Sequence, residues 1–280
     1  MNSITITDQV SLLSYVFQND RALGGLMNQI QGFDYPMPIV TVADVAARSG
    51  ATAVNSKFGR RLASFVYRFT CDVLSERQDM LKVMRQDGNL KLVEFTTLDS
   101  LDLQFEAYIN KISTPYTSMI KTPTLVELVS PDYRLFSQSL TEYNTSPTTS
   151  TGGTPIPTAI PIDFTISGSG TPNLTVVNGG NEPTPPTFVI NGPGTTFTIQ
   201  NITTGESMTI STTITVGETI TIDVKNRTVT QGTTTNIYGL FSGDWFDIPV
   251  GTSEIFFNAS SGTDANTSLD VSFRDAYIGV

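Results

Sequence analysis

The chain has 280 residues, with 16 basic and 26 acidic side chains, one cysteine and no histidine, for a formal charge of −10. That length allows one or two domains with substantial cores. The missing imidazole excludes Ser-His-Asp and Cys-His nucleophiles and zinc sites built from Cys and His, and the acidic balance does not suit phosphate-backbone binding, which needs stripes of Lys and Arg.

Nothing approaches the roughly 18 apolar residues of a membrane span. The opening MNSITITDQV has no basic patch and no apolar segment, so neither membrane insertion nor a secretory signal is expected. ITIT then reads as strand, VSLLSYVF as strand or one helical turn, and Gly24, Gly25 and Gly32 break any long helix. PMPIVTVADVA is Pro-bounded and β-branched, hence extended, and Arg48–Ala51 reads as a turn. Arg60–Val73 alternates apolar and polar residues and is expected as a central strand, with Leu62, Phe65, Tyr67, Phe69 and Val73 on one face and a phase slip near Ala63–Ser64. Within it, Cys71 reads as a small buried hydrophobe.

The spacing predicts one helix over 75–86. Ser75 is its expected N-cap, Glu76 and Asp79 sit in the first turns, Lys82 and Arg85 in the last, and Gly88-Asn89 ends it. Met80, Leu81 and Met84 should face a sheet. Leu90–Thr96 and Leu101–Ile112 alternate around an Asp99-Ser100 turn and predict a hairpin, followed by a strand at Thr124–Val129. Residues 144–158, NTSPTTSTGGTPIPT, read as a linker between an N-terminal domain at 1–143 and a C-terminal one at 159–280. In the latter, Ile160–Ile166 and Leu174–Val177 are candidate first strands. From Thr187 onward Thr alternates with Ile and Val, which puts hydroxyls on a wet face and branched carbons on a core face. Trp245, the only tryptophan, is expected half-buried at one end of a sandwich.

The expected class is therefore mainly β, with two domains: an N-terminal β-sandwich carrying one α-helix and a C-terminal jelly-roll type β-sandwich. Charge divides unevenly, with three basic against eleven acidic residues over 146–280 and thirteen against fifteen over 1–145. No phosphate loop of the GxxxxGK[ST] form is present. Asp264-x-Asn266-x-Ser268 with Asp270 and Asp275 imitates a calcium loop, but Leu269 stands where such a loop needs glycine, and the segment reads as a solvated turn before a strand. Asp244 and Asp247 flank Trp245 and read as surface charge. No catalytic, cofactor-binding or metal residues are assigned, and an enzyme is not expected.

The order of signals in the last third is more specific than the class. Pro186 precedes strand Thr187–Ile190 and a turn at Gly192; Asn201 with Thr203-Thr204-Gly205 follows, then Gly217-Glu218 and Thr219–Asp223. Gly243-Asp244-Trp245, Ile248-Pro249, Gly251 and strand Glu254–Asn258 come next, and Ser272–Tyr277 close the series. In this order the stretch resembles the C-terminal galectin-like domain of siphophage distal tail (Dit) proteins. The order strand, helix, hairpin, strand and SPDYRLF in the first half resembles the N-terminal ring-forming domain of the same family. The resemblance implies a structural protein of a long non-contractile bacteriophage tail. It would form a homo-hexameric ring at the distal end, contacting the tail-tube protein, the tail-tip hub and receptor-binding proteins, with DNA passing through the channel without specific binding. It also implies a place in the virion, after assembly in the host cytoplasm. The rival is a lectin-like module in which Trp245 and Tyr238 stack on a sugar ring.

Overall fold

The computed structural model describes residues 3–19, 25–33, 36, 38–44, 51–69, 73–113, 123–147 and 173–279, with the backbone alone at 25–26, 38–44, 51–57 and 73–74. Cys71, the turn at 48–50, the candidate strand at 160–166 and most of the expected linker lie outside these residues. The chain divides into two compact units, Met1–Ser139 with Ala276–Val280, and Leu140–Asp275.

In the first unit the strands are β1 (Ser3–Asp8), β2 (Ser14–Gln18), β3 (Gly25–Gln31), β4 (Pro38–Asp44), β5 (Ala51–Phe58), β6 (Arg61–Phe69), β7 (Lys91–Thr96), β8 (Asp102–Ser113), β9 (Pro123–Ser130) and β10 (Leu135–Ser137), with one helix, α1 (Val73–Val83). The antiparallel order is β2-β1-β7-β8-β9-β6-β3, while among the described residues β4 and β5 pair only with each other. The long β8 lets this sheet fold over itself. Its first half pairs with β7 (Thr96↔Asp102 to Lys91↔Ala107), its second half with β9 (Tyr108↔Val129 to Ser113↔Leu125), and the register shifts between Ile109 and Lys111. A bulge of this kind bends a strand and increases its twist. Aromatic rings from the two halves then meet inside the resulting sandwich. Phe17 on β2 packs edge-to-face on Phe65 of β6 at 4.9 Å, and Phe33 touches Phe65, Phe95 and Phe105.

The predicted hairpin forms as expected around Ser100, whose φ is 64°. Strand β6 is read differently by the fold. Its buried face is Arg61, Ala63, Phe65, Tyr67 and Phe69 in unbroken alternation, and Leu62 is 54% exposed on the other face. No phase slip is needed, because an arginine takes the inward position where the sequence suggested a leucine. The helix runs Val73–Val83 rather than 75–86, so Ser75 lies inside it and not at its cap. It stops early because the following turn has its own partners: the Asp87 carboxylate accepts the Asn89 N–H and the Lys91 ammonium, both at 3.1 Å. Met80, Val83 and Met84 are buried against the sheet, while Leu81 turns outward.

The second unit is a sandwich of two antiparallel sheets. One contains β11 (Thr141–Thr145), β13 (Thr187–Asn191), β16 (Thr219–Asp223), β17 (Thr228–Gln231), β18 (Thr235–Asn236) and β21 (Ser268–Phe273), in the order β11-β21-β13-β16-β17-β18. The other contains β12 (Asn173–Asn178), β14 (Gly194–Asn201), β15 (Ser207–Ile214), β19 (Phe241–Gly243) and β20 (Gly251–Ser261), in the order β12-β20-β14-β15-β19. Phe188, Ile190, Ile220 and Ile222 of the first sheet and Phe197, Ile199, Ile255 and Phe257 of the second are all at 0% exposure, as the Thr/Ile alternation predicts. Threonines meet across strands on the outer face, Thr195 with Thr213 and Thr198 with Thr209.

The unit boundary falls a few residues before the expected linker. Thr141–Thr145 pairs with β21, and Tyr143 stacks on Phe273 at 5.8 Å, so the polar TEYNT is an edge strand of the second unit. Conversely, Ala276–Tyr277 pairs with β10 and returns the chain to the first unit.

Candidate interaction surfaces

Three places carry polar or aromatic groups in arrangements that the bare fold does not require. The first is the turn between β1 and β2. Asp8, 2% exposed, accepts the N–H groups of Val10 (2.8 Å) and Ser11 (3.1 Å) on one carboxylate oxygen and the Lys91 ammonium (2.5 Å) on the other. Lys91 is fully buried and also reaches Asp87. The hydrogen bond from Lys91, partly opposed by desolvation, holds the Asp8 carboxyl down at about 2. The turn so fixed points Val10 (71%), Leu12 (78%) and Leu13 (49%) into solvent, with Leu12 at a φ of 57°.

The second is an open groove of about 490 Å³ between β2 and α1, lined by Leu13, Tyr15, Val16, Glu76, Asp79 and Lys82 among others. The Tyr15 hydroxyl donates to Glu76 at 2.9 Å, and burial together with that bond pushes its phenol well above the usual range. Arg61 pins the frame of the same unit. Its guanidinium is fully buried and donates to the carbonyls of Gly32 (2.8 Å), Tyr133 (2.8 Å) and Ile278 (2.7 Å). Gly32 accommodates this approach with a φ of 77°, and a Cβ there would meet the Leu62 carbonyl oxygen at 1.8 Å.

The third is aromatic. Tyr238, Phe241 and Trp245 lie nearly parallel, with ring centroids 4.4 Å apart for Phe241–Trp245, 6.0 Å for Tyr238–Phe241 and 6.2 Å for Tyr238–Trp245. Trp245 is half-buried, as expected, and Tyr238 is 49% exposed. Phe241, which the sequence reading passed over, brings the trio together from the edge strand β19. The strand sits this close because Gly243 has a φ of 108°, and a Cβ there would meet the Ser207 carbonyl at 2.3 Å. Asp244 donates its backbone N–H to the same carbonyl.

The calcium-like stretch is a closed turn. Asp264 accepts the Asn266 N–H at 2.7 Å, Thr267 donates its hydroxyl to the Pro193 carbonyl, and Ser268 begins β21. Among the described residues no three acidic or cysteine side chains converge as a metal site would require. No described helix is long and apolar enough to cross a membrane.

The chain is thus built of two β units, the second of them an acidic sandwich. Residues 179–277 match the family model described as the C-terminal domain of the siphovirus-type tail component. The whole chain shares its fold with the crystallised Dit protein of phage SPP1, described as a paradigm of the hub adsorption apparatus in phages infecting Gram-positive hosts. The TM-score is 0.63 over 98% of each chain, at 11% identity. A chain of the phage P2 baseplate in its activated conformation with Ca is similar over 97% of this chain and 98% of its own, with a TM-score of 0.50 and 12% identity. Among curated proteins there is no significant match. Residues 179–277 thus match the C-terminal domain of siphovirus-type tail components, and the chain as a whole has the fold of the SPP1 Dit protein.

Proposed function

We propose that this protein is a structural component of the virion that closes the distal end of a long non-contractile tail. Six copies would form a ring there, joining the tail tube to the tail-tip hub around a channel for DNA. The first unit would build the ring, and the acidic second unit would face outward or toward hub and receptor-binding proteins. The observation that carries this reading is the tail-component match over 179–277, set within a fold shared along nearly all of the chain with the SPP1 protein. The work such a protein does is geometric. Copies related by a rotation that closes form a ring through head-to-tail contacts. Native mass spectrometry of the purified full chain, with electron microscopy of purified tails, tests it. A hexamer and six-fold density at the tail end are expected. A strict monomer that is absent from purified tails would overturn it.

The exposed face of Tyr238 supports a second reading, binding of saccharide by the second unit. Phe241 already covers part of the indole at 4.4 Å, so Tyr238 is the ring most open to a pyranose. A glycan array with the full chain decides it: binding that Tyr238→Ala abolishes would promote this reading, and a blank array would remove it.

A further inference from the structure

From the first unit's surface we infer that neighbouring copies join by inserting the β1–β2 turn of one into an apolar row on the outer face of the next. This inference rests on the ring reading above and names its contact.

The turn is a rigid knob. Asp8 donates its N–H to the Leu13 carbonyl and accepts the Leu12 N–H at its own, both at 2.9 Å, while its carboxylate takes the Val10 and Ser11 N–H groups. Three apolar side chains are therefore held in water by a buried ion pair, with a leucine in the left-handed backbone region. Exposed apolar groups fixed in this way retain a solvation cost that only a covering surface removes.

A matching surface exists on the same unit. Leu62 of β6 is the cross-strand neighbour of Val129 on β9, and Val129 is the neighbour of Tyr108 on β8. Leu62 is 54% exposed and Tyr108 41%, and Val129 is half-buried between them. Knob and row are different patches, carried by different strands, so the knob of one copy can enter the row of the next while its own row takes the knob of the copy before, a head-to-tail contact that repeats around an axis.

A second copy of this chain carries both halves of the contact, and the charge of the first unit permits its approach. The first unit holds thirteen basic against fourteen acidic residues, whereas the second holds three against twelve. Copies approach through first units without net repulsion, and their second units repel.

The test uses two variants of the full chain, Val10→Lys/Leu12→Lys to spoil the knob and Leu62→Lys/Tyr108→Lys to spoil the row. Circular dichroism and thermal melting check that both are folded, and sedimentation velocity reads their assembly. Each variant alone should run as a monomer under conditions where the wild type is oligomeric. Mixed one to one they should form a heterodimer and nothing larger, because each pair keeps one intact knob facing one intact row. If folded variants assemble like the wild type, or if monomeric variants fail to pair on mixing, the contact is overturned while the ring reading stands. If the wild type itself is monomeric at every concentration, the contact falls, and the protein's presence or absence in purified tails decides the ring reading.

Discussion

Arg61 and Lys91 are among the largest side chains fully shut away from solvent in the first unit, with Asp8 beside Lys91. The second unit, among its described residues, buries only neutral polar groups: Asn178, Thr184, Asn201, Ser253 and Thr267. Outside, the balance is reversed. The unit with buried charges is nearly neutral overall, and the one with a neutral interior carries the excess of acid. A buried charge stabilises little by itself, because desolvation offsets most of its attraction, but it strongly penalises any arrangement that leaves it unpaired. In the first unit these charges therefore fix positions: Arg61 holds three separate backbone segments, and Asp8 holds the exposed turn. The second unit buries side-chain amides and hydroxyls, whose hydrogen bonds do not titrate, and keeps the carboxylates that hold its turns, such as Glu218 and Asp264, outside its buried interior.

Removing Arg61 should break this contrast most severely. Arg61→Met leaves the carbonyls of Gly32, Tyr133 and Ile278 without their guanidinium donor. The expected loss is about 3–5 kcal/mol, confined to the first unit. Trp245, the only tryptophan, reports on the second unit alone. In a denaturant titration the far-UV transition should split, with an early phase to which tryptophan fluorescence is blind. A single coincident transition would show that the two units unfold together.

Next comes Asp8→Asn, expected to cost on the order of 2 kcal/mol at neutral pH. The Asp8 carboxyl sits at about 2 in the fold against an ordinary 3.8. Its folded value is depressed, so its contribution is fully present above about pH 4 and disappears as the pH falls toward 2. The gap in melting temperature between wild type and variant should therefore narrow over that window. A gap that stays constant from pH 7 to pH 2.5 would mean the ion pair does not carry the effect.

In the second unit, Asn178→Ala should cost about 1–3 kcal/mol, with no pH dependence between 7 and 3. Asn178 donates to the carbonyls of Glu182 (2.8 Å) and Ile248 (3.2 Å) and accepts the Gly180 N–H (3.0 Å), all through an uncharged amide. The Asp275 carboxylate holds the same loop through the Gly179 N–H at 2.9 Å, so a loss that varied with pH would mean that amide and carboxylate act together, and would blur the distinction between the units.

How far the sequence disclosed this arrangement follows the same division. The second unit's strands were legible because Thr and Ile alternate with period two and the turns carry glycine or asparagine, so local pattern and burial agree. The first unit's polar skeleton was not. Arg61 and Lys91 occupy inward positions of β6 and β7, where a pattern of apolar residues reads them as strand ends. Leu62 is the apolar residue that the pattern assigns to the core, and only that assignment needs a phase slip, which the unbroken alternation of β6 does not have. Thr141–Thr145 has one aromatic and four polar residues, so nothing local marks it as strand; its partner lies more than a hundred residues away in β21. Trp245 and Tyr238 could be singled out by type, but Phe241 joined them only through the close approach at Gly243.

The smallest expected effect sharpens the comparison. Thr198 and Thr209 face each other across β14 and β15 on the outer surface, their hydroxyls 3.4 Å apart. Replacing both with valine keeps the branched carbon and the strand preference and removes only a hydroxyl contact that water replaces in the unfolded chain. The double variant should melt within about 0.5 kcal/mol of the wild type at pH 7 and at pH 3 alike. If it lost more than about 1 kcal/mol, the outer threonines would be part of what holds the second sandwich together. Its stability would then have to be explained from both faces of the sheet, and the contrast with the first unit would lie in the kind of polar network each unit uses rather than in where that network is buried.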